Sequence, residues 1–168
     1  MGGGGNSPPL LTKLFMVDRY TNKYFSNLFF FVKINKNSDF YYTEKNIRKF
    51  VSQEKDLKIF LRMLNNIFVY SQSQEIKGVI STWCSDYSGV RRIFVKIDAL
   101  DAYVAEKMLT CLLWNTKIDL YFKVKKKYSK IIDVFKSKGF RFCGDRGREI
   151  LLFKKYIGKD TKNKIRNP

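Results

Sequence analysis

Ile131-Ile132-Asp133-Val134-Phe135-Lys136-Ser137-Lys138-Gly139-Phe140-Arg141-Phe142 is the stretch that decides how this chain folds. It carries Ile131, Ile132, Val134 and Phe135 at helical spacing, and it reaches Gly139 where a helix C-terminus favours a residue free to turn left-handed. The chain restarts at Phe140 as a strand. Residues 140–143, a Gly144-Asp145-Arg146-Gly147 turn and residues 149–156 then predict a closing β-hairpin.

Moving outward from this stretch, residues 118–124 alternate, with Ile118, Leu120, Phe122 and Val124 on one face, and predict a strand. Before it, Asp101 is placed to cap a helix in which Val104, Met108, Leu112 and Leu113 form one apolar stripe that ends near Asn115. Three earlier runs, residues 67–71, 76–84 and 90–98, are separated by polar linkers and predict an antiparallel meander. Residues 43–51, opened by Thr43 and Glu44, and residues 52–64, opened by Ser52, Glu54 and Asp56, predict two short helices in succession. Phe29-Phe30-Phe31-Val32-Lys33-Ile34 is aromatic and β-branched, with a turn cluster of Asn35, Asn37, Ser38 and Asp39 behind it, and is the expected first strand. The order is strand, two helices, three strands, helix, strand, helix, two strands. It predicts an α/β (α+β) single domain with a mixed, mostly antiparallel central sheet flanked by helices. A glycine-rich flexible leader is expected at residues 1–9, the domain at 10–157, and a basic tail at 158–168 with Lys159, Lys162, Lys164 and Arg166.

The 168 residues, 45% of them hydrophobic, suffice for one domain with a real core and not for two. The 33 Lys and Arg against 15 Asp and Glu leave a net charge of +18, spread along the chain. That excess points to an anionic partner, nucleic acid first, because each phosphate neutralised releases condensed counterions; an acidic protein is the weaker fit. A Lys- and Asn-rich composition also follows from an AT-rich genome, so the charge alone does not assign the partner. The chain has no histidine, which excludes a Ser-His-Asp triad, a Cys-His pair and an H-E-x-x-H zinc site. Cys84, Cys111 and Cys143 lie far apart without a C-x-x-C pair, so no metal site is expected. They read as reduced, mostly buried thiols, which with the lack of a membrane-length apolar run predicts a soluble, cytoplasmic protein.

The element order and the local text together resemble the GCN5-related N-acetyltransferase (GNAT) superfamily over about residues 45–156. Residues 131–142 look like that family's penultimate helix running into a Gly-Phe, and Ile150-Leu151-Leu152-Phe153-Lys154-Lys155 is similar to its final strand. The resemblance implies acetyl-CoA or another acyl-CoA as donor, or no cofactor if the site is vestigial. It implies that the central strand Ile93-Phe94-Val95-Lys96-Ile97-Asp98 leads into a Gln/Arg-x-x-Gly-x-Gly/Ala loop whose amides hold the donor pyrophosphate at a helix N-terminus. Ile97, Leu100, Asp101, Ala102, Tyr103, Val104 and Ala105 are then the donor-binding candidates. Leu100 falls at the Gln/Arg position, Tyr103 at the first Gly and Ala105 at the Gly/Ala position, and Ala105 alone conforms. Tyr103 is expected to hinder the donor sterically, and Asp98, Asp101 and Glu106 electrostatically.

The resemblance also implies a tyrosine acid four residues before the Gly-Phe, a place that Phe135 fills without a proton to give. Tyr128 and Ser129, at the start of the same helix, are the substitute candidates, and read equally as a surface aromatic and an N-cap. Glu75, Asp86 and Asp98 are the carboxylates near strand ends that could deprotonate an amine; Asp98 is carried with Tyr128 and Ser129 as the candidate catalytic set. Arg91 and Arg92, then Lys123, Lys125, Lys126 and Lys127, then Arg141, Arg146 and Arg148 are the candidate nucleic-acid contacts, since cations there alternate with aromatics. Two functions fit: acyl transfer to a nucleic acid or a nucleic-acid-associated substrate, or a catalytically inactive basic module of the same fold that binds nucleic acid or an acidic protein.

Overall fold

The computed structural model describes residues 15–34, 53–87 and 89–156. The leader, the basic tail and the helix expected at 43–51 lie outside the described residues. The elements are β1 (Phe15–Arg19), a 3-10 turn (Asn22–Tyr24), α1 (Phe25–Ile34), α2 (Glu54–Met63), β2 (Asn65–Gln72), β3 (Glu75–Tyr87), β4 (Val90–Ala99), α3 (Ala102–Asn115), β5 (Leu120–Lys125), α4 (Ser129–Ser137), β6 (Arg141–Arg146) and β7 (Glu149–Lys154). One seven-stranded sheet runs β1-β2-β3-β4-β5-β7-β6, antiparallel at every pairing except β4 with β5. The expected mixed, mostly antiparallel sheet with flanking helices is therefore the fold observed.

Strand alternation divides the side chains between two cores. On one face Ile80, Val95, Ile97, Leu120, Phe122, Val124 and Leu152 pack under Val104, Met108, Leu109 and Leu112 of α3 and Ile131, Ile132 and Phe135 of α4. On the other, Leu28, Phe31 and Val32 of α1 and Leu57 of α2 cover Val69 and Ile76. Ile76 reaches that second core because the β2–β3 register slips between Tyr70↔Gly78 and Ser71↔Ile76, leaving Lys77 as an extra residue that reverses the alternation.

The expected first strand at 29–34 is instead part of helix α1, and the first strand lies earlier, at Phe15–Arg19. The reason is visible in the burial. Leu28, Phe31 and Val32 are buried at i, i+3 and i+4, while Phe30 points out at 65% exposure. A helical stripe onto the sheet outweighed the β-propensity of the individual residues.

Close packing sets where α3 starts. Gly78 on β3 lies so near α3 that a Cβ there would sit 2.5 Å from Met108 Sδ and 2.7 Å from Val104 Cγ1. Gly139 ends α4 at φ +88°, with Phe140 N–H returning to the Phe135 carbonyl at 3.2 Å and Lys154 Nζ donating to the Lys138 carbonyl at 2.5 Å. That terminus confirms the stop expected at Gly139. Glu106 of α3 pairs with Lys138 at 2.8 Å, tying the two helices together, and its carboxyl is held below the ordinary glutamate range by that lysine.

Candidate active site

The parallel strands β4 and β5 touch at one point. Among the described residues, Phe94 and Tyr121 are the one pair that joins them, and from there to Ala99 and Lys125 the strands run on without pairing each other. The two strands therefore share a single register pair, and the sheet is split between them beyond it. At the end of β4, Leu100 N–H donates to the Lys77 carbonyl (3.0 Å) and the chain turns into α3.

The first turn of α3 carries the candidate anion site. Asp101 is the N-cap, as expected: its Oδ1 accepts from Val104 N–H at 2.9 Å, and its carbonyl accepts from Ala105 N–H at 3.1 Å. The amides of Ala102 and Tyr103, the first two helical positions, have no acceptor within the helix and stand at the positive end of its dipole. The side chains of Ile97, Val104 and Ala105 are buried in the core, and the Val104 and Ala105 amides are taken by Asp101. Leu100 and Tyr103 are exposed.

Tyr103 stands exposed on the first turn of α3. The pKa of Tyr70 on β2 is pushed up by burial first and then by the neighbouring Tyr103. β2 lies on the far side of β3 from β4 and β5. The Asp101 carboxylate is fixed within the turn that a phosphate would approach.

Phe135, at the family's acid position, is fully buried, with its ring stacked on Phe122 (centroids 3.6 Å, interplanar 11°) and edge-on to Phe140 (4.9 Å). Tyr128 rather than Ser129 is the N-cap of α4, and its side chain makes no capping bond. It packs against the α3–α4 core, with Lys127 Nζ 4.9 Å from its ring centroid; Ser129 is exposed. Asp98 is buried on β4, in the alternation set that points to the opposite face. The catalytic candidates thus share one end of the split strands but lie on two faces of the sheet. Glu75 is exposed and ion-paired with Lys77, which holds its carboxyl below the ordinary range. Asp86 is exposed at the far end of β3.

Two of the three basic clusters become one. Lys126 pairs with Asp145 (2.5 Å), its N–H donates to the Arg148 carbonyl (2.9 Å), and Lys123 pairs with Glu149 (3.2 Å), so the Lys123, Lys125, Lys126 and Lys127 segment adjoins the turn bearing Arg146 and Arg148. Arg141 stands at the other end of β6. Arg91 and Arg92 lie at the opposite end of β4, where Arg91 Nε donates to Cys84 Sγ at 2.8 Å. The cysteines are more open than expected: Cys143 is exposed, and Cys84 and Cys111 are half-buried. The residues that sequence reasoning missed are Trp83 and Lys96, which with Phe94 and Lys123 wall a cavity of about 170 Å³ beside the split. For Lys96 the signal was the alternation Arg92, Phe94, Lys96 along β4; Trp83, on β3, joins it only through pairing with Phe94.

A sheet of this order, split between its parallel central strands with a helix beginning at the split, is an acyltransferase-like fold. No family model matches the sequence, and no curated protein matches it. Solved structures do. A GNAT-family acetyltransferase from Streptococcus pneumoniae is 15% identical with a TM-score of 0.64, over 86% of this chain and 99% of its own. Ribosomal-protein-alanine N-acetyltransferase from Brucella melitensis is 11% identical with a TM-score of 0.66, over 83% and 99%. RimL, a ribosomal L7/L12 α-N-protein acetyltransferase in complex with coenzyme A, is 10% identical with a TM-score of 0.64, over 85% and 94%. This chain has the fold of the GNAT superfamily. Among its described residues, no helix is long and apolar enough to cross a membrane.

Proposed function

We propose that this protein is an acyl-CoA-dependent N-acyltransferase whose acceptor is a nucleic acid or a nucleic-acid-associated substrate. The observation that carries the reading is the split between β4 and β5, opening beside an α3 N-terminus whose Ala102 and Tyr103 amides have no acceptor within the helix. Those amides fit the donor's pyrophosphate, and the small Ala102 and Ala105 leave the backbone approachable. When bound, the donor supplies an acyl group activated as a thioester. The split between β4 and β5 gives its arm a place to lie beside that helix start. Phe135 gives no proton, so the rate comes from holding donor and acceptor amine in reach of each other. The net charge of +18 and the merged basic edge at the end of β5 suit a polyanionic acceptor.

Acyl-CoA at about 100 times its dissociation constant should stabilise the protein by about 2.7 kcal/mol and raise its melting temperature. No shift at millimolar concentration removes the acyltransferase reading. Asp101→Asn keeps a capping side chain and removes the charge facing the phosphates; it should tighten acyl-CoA binding about fivefold, roughly 1 kcal/mol, with little change in stability. An unchanged affinity would place the donor elsewhere.

A second reading is favoured by the Asp101 carboxylate in the anion site together with the sealed Phe135: a basic binding module that has kept the scaffold and lost the transfer. Nucleic-acid titrations across a salt series bear on both. Replacing Lys125, Lys126 and Lys127 by Gln should weaken binding equally for all sequences and lower the slope of log K against log salt by about 0.9 for each phosphate of duplex DNA left unneutralised. An affinity flat between low and physiological salt would exclude phosphate contact.

A further inference from the structure

On the sheet face turned away from α3 and α4, four aromatic side chains stand in one cross-strand row. Trp83 of β3 pairs with Phe94 of β4, Phe94 with Tyr121 of β5, Tyr121 with Phe153 of β7, and Phe153 with Arg141 of β6. The ring centroids are 5.8 Å apart between Phe94 and Tyr121 and 4.8 Å between Tyr121 and Phe153. Cations sit on the rings. The Arg92 guanidinium carbon lies 4.9 Å from the Tyr121 centroid, and Lys96 Nζ lies 5.5 Å from that of Trp83.

The same strands are mostly aliphatic on their other face, where Ile80, Val95, Ile97, Leu120 and Leu152 meet helices. A core of that kind needs no cations over its rings. Phe94, at 7% exposure, floors the row, while Trp83, Tyr121 and Phe153 are half-buried. Phe60 of α2 closes the β3 end, 5.8 Å from Trp83. The cavity of about 170 Å³ bounded by Trp83, Phe94, Lys96 and Lys123, with Ser85 and Asp86 at its side, opens onto the row. Its volume equals that of five or six waters at about 30 Å³ each, room for one planar ring system. Aromatic faces hold any base by stacking, and the cations beside them meet the phosphates.

We propose that this row is a stacking platform for a single-stranded nucleic acid, with a base seated in the cavity at Trp83 and Phe94 and its neighbours along Tyr121 and Phe153. Arg92, Lys96, Lys123 and Arg141 meet the backbone phosphates. Of the carboxylates near the row, Asp98 is buried on the same face of β4, Asp86 lines the cavity and Glu149 is paired with Lys123. A duplex keeps its base faces stacked inside and leaves the row empty. The inference rests on the nucleic-acid part of the proposed function and not on acyl transfer.

The test uses the full chain carrying Trp114→Phe, a replacement of the 82%-exposed tryptophan that leaves Trp83 as the one fluorescent indole. It is titrated with oligo(dT) and oligo(rU) of about 12 nucleotides, a duplex of the same length, and polyglutamate. Saturable quenching of Trp83 by both single strands, and by neither duplex nor polyglutamate, is expected. Tyr121→Leu should weaken single-strand binding at least about fivefold and leave duplex binding unchanged. Lys96→Gln, a half-buried cation, should weaken single-strand binding severalfold and serves if Tyr121→Leu fails to fold. Equal quenching by duplex overturns the platform while duplex binding at residues 125–127 stands; so do single strands held by a folded variant as tightly as by its parent. Polyglutamate that displaces the oligonucleotides, with both indifferent to these variants, overturns it in favour of an acidic protein. No binding of either nucleic acid removes the platform and the nucleic-acid part of the function together, while the acyl-CoA shift is read independently.

Discussion

Phe135→Ala is expected to destabilise the domain by about 3–5 kcal/mol, the cost of emptying a fully buried aromatic site that cannot collapse. In a chain of this length that lowers the melting temperature by about 6–20 °C. The size of the effect comes from position. Phe135 is fully buried between Phe122 and Phe140, on the helix that closes the α3–α4 side of the sheet. Phe135→Tyr restores the residue that the GNAT resemblance implies at this place, and it is the more instructive variant. A hydroxyl introduced there enters an apolar core and costs about 1–3 kcal/mol if unpaired. It should bring no gain in acyl transfer, because the ring is enclosed by core residues. Differential scanning calorimetry and an acyl-transfer assay on the same preparations check both halves. A Phe135→Tyr protein of parental stability and raised turnover would mean that this ring reaches the split.

Gly78→Val is expected to cost about 3 kcal/mol, at the upper end of overpacking effects, and to disturb the donor site at a distance. The first added carbon would lie 2.5 Å from Met108 Sδ, 2.7 Å from Val104 Cγ1 and 3.1 Å from the Asp98 carbonyl oxygen. Met108 and Val104 are buried, so relief must come from α3 lifting off β3. That motion moves the Asp101 cap and the Ala102 and Tyr103 amides with it. The variant should therefore lose affinity for acyl-CoA as well as stability. Gly78→Ala should show a smaller loss, and Met108→Ala in that background should give part of it back, a coupling that a double-mutant cycle resolves. Parental stability in Gly78→Val would contradict the close approach of α3 to β3.

Much of the architecture was legible because the signals were local. Asp101 caps α3, Asn115 ends it, Gly139 ends α4, and the three runs after the paired helices do form an antiparallel meander. Each depends on neighbours within a few residues. Residues 29–34 look like a strand in the chain because β-propensity is also local, whereas the burial of Leu28, Phe31 and Val32 against Val69 and Ile76 is not. At the site, the departures from the family pattern at Tyr103 and Phe135 could be read from the chain, but their consequences could not. Tyr103 neighbours Tyr70 on β2, a residue 33 positions away in the chain. Phe135 is sealed because β5 places Phe122 against it.

By itself the sequence determined the class of fold, the element order after residue 53, the absence of any histidine chemistry, and a net charge of +18. The tertiary structure alone decided which residues meet. It joined the lysines at the end of β5 to the arginines of the β6–β7 turn, left Arg91 and Arg92 at the other end, and set Trp83, Phe94, Tyr121 and Phe153 in one row. The reason is register. A strand shows its alternation to its own sequence, but a one-residue shift against its neighbour exchanges the two faces, and that shift is set by the packing of the whole sheet.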